Sequence, residues 1–266
     1  MAAAAKRFRF AGLQLLVGAD KEANLARARD LIAQAECFNC PYSNDSFPTY
    51  AEAVPGGPSA AMLQEAARKH SVYLVGGSIP EREGDKLYNT SVVYDPQGNL
   101  IAKHRKVVVH LFDISVPPGE GRPGMTFKYV AMQSLFAQRQ WCDVGLGICY
   151  DMRFPEMAQV LTKRGVKLLV YPGAFNTTTG PAHWELLQRA RAVDNQCRPL
   201  AIPDSKYQAW GHSTVVDPWG TIVATTEHDE AITYADIHLD KVDEVRQMIP
   251  VSLQKRHDLY EVKEVQ

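Results

Sequence analysis

Val144-Gly-Leu-Gly-Ile-Cys149-Tyr-Asp-Met-Arg-Phe-Pro-Glu156 reads as a buried strand, a tight turn and the start of a helix. Gly145-Leu-Gly-Ile148 is short and apolar, as a strand covered on both faces is. Phe154-Pro155-Glu156 then supplies a proline and an acid for a first helical turn, and the spacing predicts a helix from about Phe154 to Arg164. Cys149 is left on the turn between the two. A thiol there meets backbone N–H groups and the positive end of a helix dipole, which lower its pKa and can hold an oxyanion. The same local context also fits a buried, inert cysteine, the usual condition of a free thiol.

Outward from this stretch, strand and helix signals alternate. Towards the N-terminus, Phe8–Leu16 reads as a strand, and Leu25, Ala28, Leu31, Ile32 and Ala35 recur at helical spacing over about Asp20–Ala35. Ser59 is placed to cap a helix carrying Met62, Leu63, Ala66 and Ala67, and Val72–Val75 is a strand that Gly76-Gly77 should break. Towards the C-terminus come a strand at Lys167–Tyr171, a helix over about His183–Asn195, strands near Leu200–Ile202 and Ala231–Ile237, and a last helix. Two hairpins turn on Asp95-Pro-Gln-Gly98 and, 122 residues further on, Asp217-Pro-Trp-Gly220, with Leu100-Ile-Ala102 matched by Ile222-Val-Ala224. Sheets covered by helices follow, arranged as two related αβ halves. No Pro-, Ser- or Gly-rich linker divides them, so residues 1–266 read as a single domain.

With 29 basic against 30 acidic residues, the chain lacks the basic excess of a nucleic-acid binder. No apolar run approaches the ~18 residues of a membrane span. Five cysteines over 266 residues are too few and odd in number for a disulfide-stapled domain, so a reducing compartment is expected. Met1–Arg7 lacks the apolar core of a signal peptide. It is basic, with no acid before Asp20, which leaves a mitochondrial address open beside the cytoplasmic one that the strand-like Phe8–Leu16 favours.

A cysteine nucleophile needs a proton acceptor and a group to hold negative charge. His183 and His212 are the histidine candidates, but neither sits in a papain-like or caspase-like signature. A carboxylate and a lysine serve as well, and Glu36 and Lys106 could do so, although taken alone each reads as a solvated surface charge. Cys37-Phe-Asn-Cys40 has neither a second pair nor a histidine spacing for zinc, and His183-Trp-Glu185 is not a zinc-hydrolase motif. Gly76-Gly77 and Gly119-Glu-Gly121 form no phosphate loop.

Taken together, Gly145–Phe154, Leu168–Asn176, Thr178–Gln196 and Ala209–Val216 resemble the nitrilase, or carbon–nitrogen hydrolase, superfamily, in particular its omega-amidase branch. Glu36-Cys-Phe-Asn39 with Pro41-Tyr42, and His104-Arg-Lys106 with His110–Ile114, match the remaining signatures. The resemblance implies a four-layer α-β-β-α sandwich and a Glu36–Lys106–Cys149 triad. In that triad Cys149 is the nucleophile, Glu36 the general base and acid, and Lys106 with the Tyr150 backbone N–H the oxyanion clamp. It also implies a homodimer, no metal or other cofactor, and a small amide substrate: the terminal carboxamide of short dicarboxylic acids such as 2-oxoglutaramate and 2-oxosuccinamate. The chain departs from the pattern in four places. No aliphatic strand precedes Glu36, Val107-Val-Val109 lengthens the stretch after Lys106, Asp113–Gly124 is compressed with only Glu120 near the accessory glutamate position, and Pro203–Gln208 is short. Two alternatives therefore stand beside an omega-amidase: a non-catalytic interaction subunit, and an amidase for another amide such as deaminated glutathione.

Overall fold

A computed structural model describes residues 7–31, 38–41, 43, 45–106, 142–202 and 209–264 of the chain. Its first half runs β1 (Arg7–Gln14), α1 (Lys21–Leu31), α2 (Phe47–Tyr50), α3 (Pro58–His70), β2 (Leu74–Glu83), β3 (Lys86–Tyr94) and β4 (Leu100–Arg105). The second runs β5 (Val144–Leu146), a 3-10 turn (Cys149–Arg153), α4 (Pro155–Lys163), β6 (Leu168–Pro172), a π turn (Gly180–Trp184), α5 (Glu185–Asn195) and β7 (Arg198–Ile202). It closes with β8 (Thr214–Val216), β9 (Ile222–Thr225), β10 (Ala231–His238) and α6 (Asp240–Met248).

Strands β2-β3-β4 form an antiparallel sheet. Strands β5-β6-β7 pair in parallel and continue antiparallel through β8 and β9. β1 and β10 pair antiparallel from Arg7↔His238 to Gln14↔Ala231, tying together residues far apart in the chain.

The alternation of side chains along each strand makes the layers. On β3, Val92 and Tyr94 pack with Leu25, Met62, Leu63 and Ala67 of α1 and α3, while Val93 joins Ala102 in a separate core. On β6, Leu169 and Tyr171 pack with Met157, Ala158 and Leu161 of α4, while Leu168 and Val170 join Val93 and Ala102. The shared core lies between two sheets and each outer face carries helices, which is the expected α-β-β-α sandwich.

The two Asp-Pro-x-Gly hairpins are alike in detail. Gly98 and Gly220 adopt φ of 81° and 83°. The carboxylates of Asp95 and Asp217 accept backbone N–H groups from Gln97 and Asn99 and from Trp219 and Thr221. Each hairpin has an irregularity at the equivalent place, Val93/Tyr94 and Val215/Val216.

Two local expectations are corrected. Gly76-Gly77 does not break β2 but lies inside it, beside a bulge between Gly76 and Ser78; a Cβ at Gly76 would fall 2.4 Å from Leu63 Cδ1, so the glycine admits α3 against the strand. Ser59 does not cap α3, because the helix begins at Pro58 after Gly57. The carboxylate of Glu52 takes the N–H groups of Ser59 and Ala60 instead, and Lys21 pairs with it at 2.6 Å. Helix α1 is seen to Leu31; the rest of its expected span, to Ala35, lies outside the described residues.

Candidate active site

Cys149 stands where the sequence puts it, just beyond β5 at the first position of the 3-10 turn. Its φ is +47°, the left-handed region that residues with a Cβ seldom enter. The turn is held there by close packing. Gly147 N–H donates to Val170 O at 3.0 Å, and a Cβ on Gly173 would come within 3.2 Å of Cys149 Cα and 3.3 Å of the Trp184 ring. Cys149 is buried among Ile148, Met152, Phe175 and Trp184, and its Sγ lies 3.8 Å from Ala174 O.

Asp151 locks this turn from inside. Fully buried, its Oδ2 accepts the Ile148 N–H at 2.9 Å and contacts His104 Nε2 at 3.3 Å. With the carboxylate ionised, His104 carries its proton on Nε2 and donates it. His104 lies on β4, and the ladder continues one residue past that strand, since Lys106 N–H donates to Asn89 O at 2.8 Å. The period-two pleat puts the buried Lys106 on the same face as His104, roughly 7 Å further along. The His104–Asp151 contact thus joins the lysine-bearing strand end to the cysteine turn. Glu36 and Glu120 lie outside the described residues, as do the sequence departures around 32–37, 107–124 and 203–208.

Tyr150 is half-exposed and contributes more than a backbone N–H. Its ring centroid is 5.1 Å from the Arg153 guanidinium carbon, and the Phe175 ring lies 4.6 Å from the same atom. Arg153 Nη1 contacts His183 Nδ1 at 3.2 Å, and its Nε is buried with no hydrogen-bond partner among the described residues. A guanidinium in contact with two aromatic rings carries a positive charge of the planar, bidentate kind that suits a carboxylate. Arg153 closes the 3-10 turn that Cys149 opens.

The two candidate histidines are engaged elsewhere. His183 turns Nδ1 to Arg153, and His212 turns Nδ1 to Trp210 O at 2.7 Å while its ring stacks on Trp210. Arg153 and the His104–Asp151 pair escaped the sequence reading although they stand inside the motifs quoted for it. Their roles depend on Phe175, His183 and the β4–turn contact, which no local pattern encodes. Two other cysteines are held as thiols: burial pushes Cys142 and Cys197 up to about 12. Among the described residues, no group of three or more His, Cys, Asp and Glu side chains is arranged to hold a metal ion.

A family model described as carbon–nitrogen hydrolase matches residues 10–247. The chain is 51% identical over 277 residues to omega-amidase NIT2 of Mus musculus, covering 96% of this chain and 98% of that protein. It is 46% identical over 290 residues to nitrilase homolog 2 of Dictyostelium discoideum, covering 100% and 85%. Among solved structures, Saccharomyces cerevisiae Nit3, described as a member of branch 10 of the nitrilase superfamily, matches with a TM-score of 0.78 at 41% identity over 96% of this chain and 97% of that one. With its four-layer sandwich and a cysteine on a strained turn at a strand end, the chain belongs to the carbon–nitrogen hydrolase family of the nitrilase superfamily.

Proposed function

We propose that the protein is an omega-amidase, cleaving the terminal amide of a short dicarboxylic acid monoamide such as 2-oxoglutaramate or 2-oxosuccinamate to the dicarboxylate and ammonia. One observation carries this reading within the family. Cys149 and Arg153 stand at the two ends of the same 3-10 turn, and the Arg153 guanidinium lies against the Tyr150 and Phe175 rings. A short dicarboxylic acid monoamide presents an amide for the thiol and a carboxylate for the guanidinium.

In the reaction, Cys149 sulfur attacks the amide carbon and the carbonyl oxygen takes up the negative charge. The Lys106 ammonium and the Tyr150 backbone N–H stabilise that oxygen. The C–N bond breaks as Glu36 returns the thiol proton to nitrogen, ammonia leaves and a thioester remains. Water deprotonated by Glu36 then attacks the thioester carbon, the C–S bond breaks and Cys149 is restored. His104 and Asp151 hold the two halves of this machinery in register, and Arg153 holds the far carboxylate.

The protein is read as a homodimer of the cytoplasm or mitochondrion; among the described residues no helix is long and apolar enough to cross a membrane. The exposed Leu186 and Val193 on one face of α5, beside the exposed Trp219, support a second copy as the partner. The test of the activity is ammonia release from 2-oxoglutaramate by the purified chain. Brief exposure to substrate should leave a 2-oxoglutaryl adduct on Cys149 in intact-mass spectra, and Cys149→Ala should abolish both signals. Turnover that survives Cys149→Ala overturns the mechanism.

A further inference from the structure

Arg153 serves as a carboxylate site only if its guanidinium is aimed, and among the described residues His183 makes a contact that aims it. Arginine stays protonated and has no acceptor, so in the 3.2 Å contact between Arg153 Nη1 and His183 Nδ1 the arginine donates. His183 is therefore neutral there, with its proton on Nε2 and the Nδ1 lone pair facing the guanidinium. The rings of Tyr150 and Phe175 contact the guanidinium, and His183 holds it by the Nη1 hydrogen bond. Nε is left buried and without a hydrogen-bond partner among the described residues.

His183 is itself rigidly mounted. It lies in the π turn Gly180–Trp184, a wide turn of the kind that re-aims side chains at functional sites. The turn is pinned at both ends. Asn176 Oδ1 accepts the N–H groups of Thr178 and Thr179, Gly180 N–H donates to Asn176 O at 2.7 Å, and His183 N–H donates to Thr179 O at 2.9 Å. Any Cβ on Gly180 would fall 2.2 Å from Trp210, so that residue is seated against the next loop. The following residue, Trp184, packs edge-on against Phe175 with centroids 4.9 Å apart and donates Nε1–H to His212 O at 2.7 Å.

We propose that His183 is a positioning residue that sets selectivity for amides bearing a distant carboxylate, by fixing the orientation of the Arg153 guanidinium. The proposal rests on the reading of Arg153 as the carboxylate site, and it adds a residue that never touches the scissile bond. Losing the Nδ1 acceptor frees the guanidinium to reorient against the rings. Carboxylate binding then costs the entropy of re-ordering it, while the thiol chemistry is not directly addressed.

The experiment is steady-state kinetics of the full-length chain with succinamate, which carries the far carboxylate, and butyramide, which has a methyl group in its place. His183→Ala is expected to raise the KM for succinamate about tenfold with kcat within about twofold, and to lower the succinamate-to-butyramide ratio of kcat/KM by a similar factor. His183→Asn, whose Oδ1 reproduces the Nδ1 acceptor, is expected to recover most of that ratio. An equal loss on both substrates in His183→Ala, with no recovery in His183→Asn, overturns the proposal in favour of a purely structural role. Arg153→Gln separates the two levels of the argument. If it collapses the ratio while His183→Ala leaves it intact, the carboxylate site stands and the positioning role fails. If the ratio survives Arg153→Gln itself, the carboxylate reading fails first.

Discussion

At Cys149 the proposed nucleophile and backbone strain coincide. A side chain at φ +47° costs roughly 1–2 kcal/mol relative to the right-handed region, and glycine would not bear that cost. Cys149→Gly is therefore expected to melt above Cys149→Ala, both being inactive, in a pair of thermal unfolding curves; equal or reversed midpoints would show that the turn is unstrained. The thiol's neighbours sharpen a second expectation. Since burial pushes Cys142 and Cys197 up to about 12, both are overwhelmingly protonated at pH 8 and resist iodoacetamide. Alkylation that inactivates the native protein should map to Cys149, and loss of activity with the label on Cys197 instead would refute this. Asp151 is the third case. Asp151→Ala strands the buried Ile148 N–H and the His104 ring, and a stability loss of about 2–4 kcal/mol is expected, with Asp151→Asn retaining an acceptor and losing less. Urea denaturation of the two variants, with kcat measured beside it, tests whether the turn and the chemistry fail together.

At the scale of elements, turn chemistry was the most legible feature and pairing the least. Asp95-Pro-Gln-Gly98 and Asp217-Pro-Trp-Gly220 announce themselves because a carboxylate, a proline and a glycine each satisfy one local demand of the same turn. The helices from Phe154 and towards Asn195 follow from apolar spacing in the same way. Gly76-Gly77 misled because its reason lies elsewhere: α3 brings Leu63 against the strand, and only the packed structure reveals that contact. Gly76→Ala should accordingly destabilise the protein by about 1–3 kcal/mol, despite shedding a flexible residue, in chemical denaturation. Glu81 was likewise opaque. Burial raises its pKa, but hydrogen bonds from Arg105, Lys103 and Thr90 outweigh that and hold it below its ordinary value of 4.5. A depressed carboxyl contributes stability above its unfolded pKa and loses it as pH falls through the folded one. Glu81→Gln should therefore melt lower than the parent at pH 7, and the gap should narrow below about pH 4. A gap that stays constant down to pH 3 would remove Glu81 from the acid limb of stability.

For the molecule as a whole, two similar halves stack sheet against sheet through Val93, Ala102, Leu168 and Val170, and the His104–Asp151 contact crosses from one half to the other at the strand ends. The internal likeness was readable from the hairpins, whereas the crossing contact was not, because it joins residues 47 apart through a buried pair. What the stack leaves outside also has a pattern. Leu186 and Val193 are seven residues apart on α5 and so share a face, and both are more than half exposed. The hairpin tip brings Trp219 beside them: Arg189 donates to Gly220 O at 2.9 Å, and a Cβ on Gly220 would meet Val193 at 2.8 Å. Glu185 and Arg189, paired at 3.1 Å and both about half exposed, flank the stripe with opposite charges. Two copies of such a helix related by a two-fold axis and running antiparallel would cover each other's apolar residues and set each glutamate towards the other copy's arginine, as an isologous interface requires. The homodimer is expected to form through this face. Leu186→Glu with Val193→Glu should sediment as a monomer at a concentration where the parent chain is a dimer, while keeping its helical circular dichroism. A parent chain that is monomeric at that concentration, or a dimer untouched by the double substitution, would move the second copy to another surface or remove it.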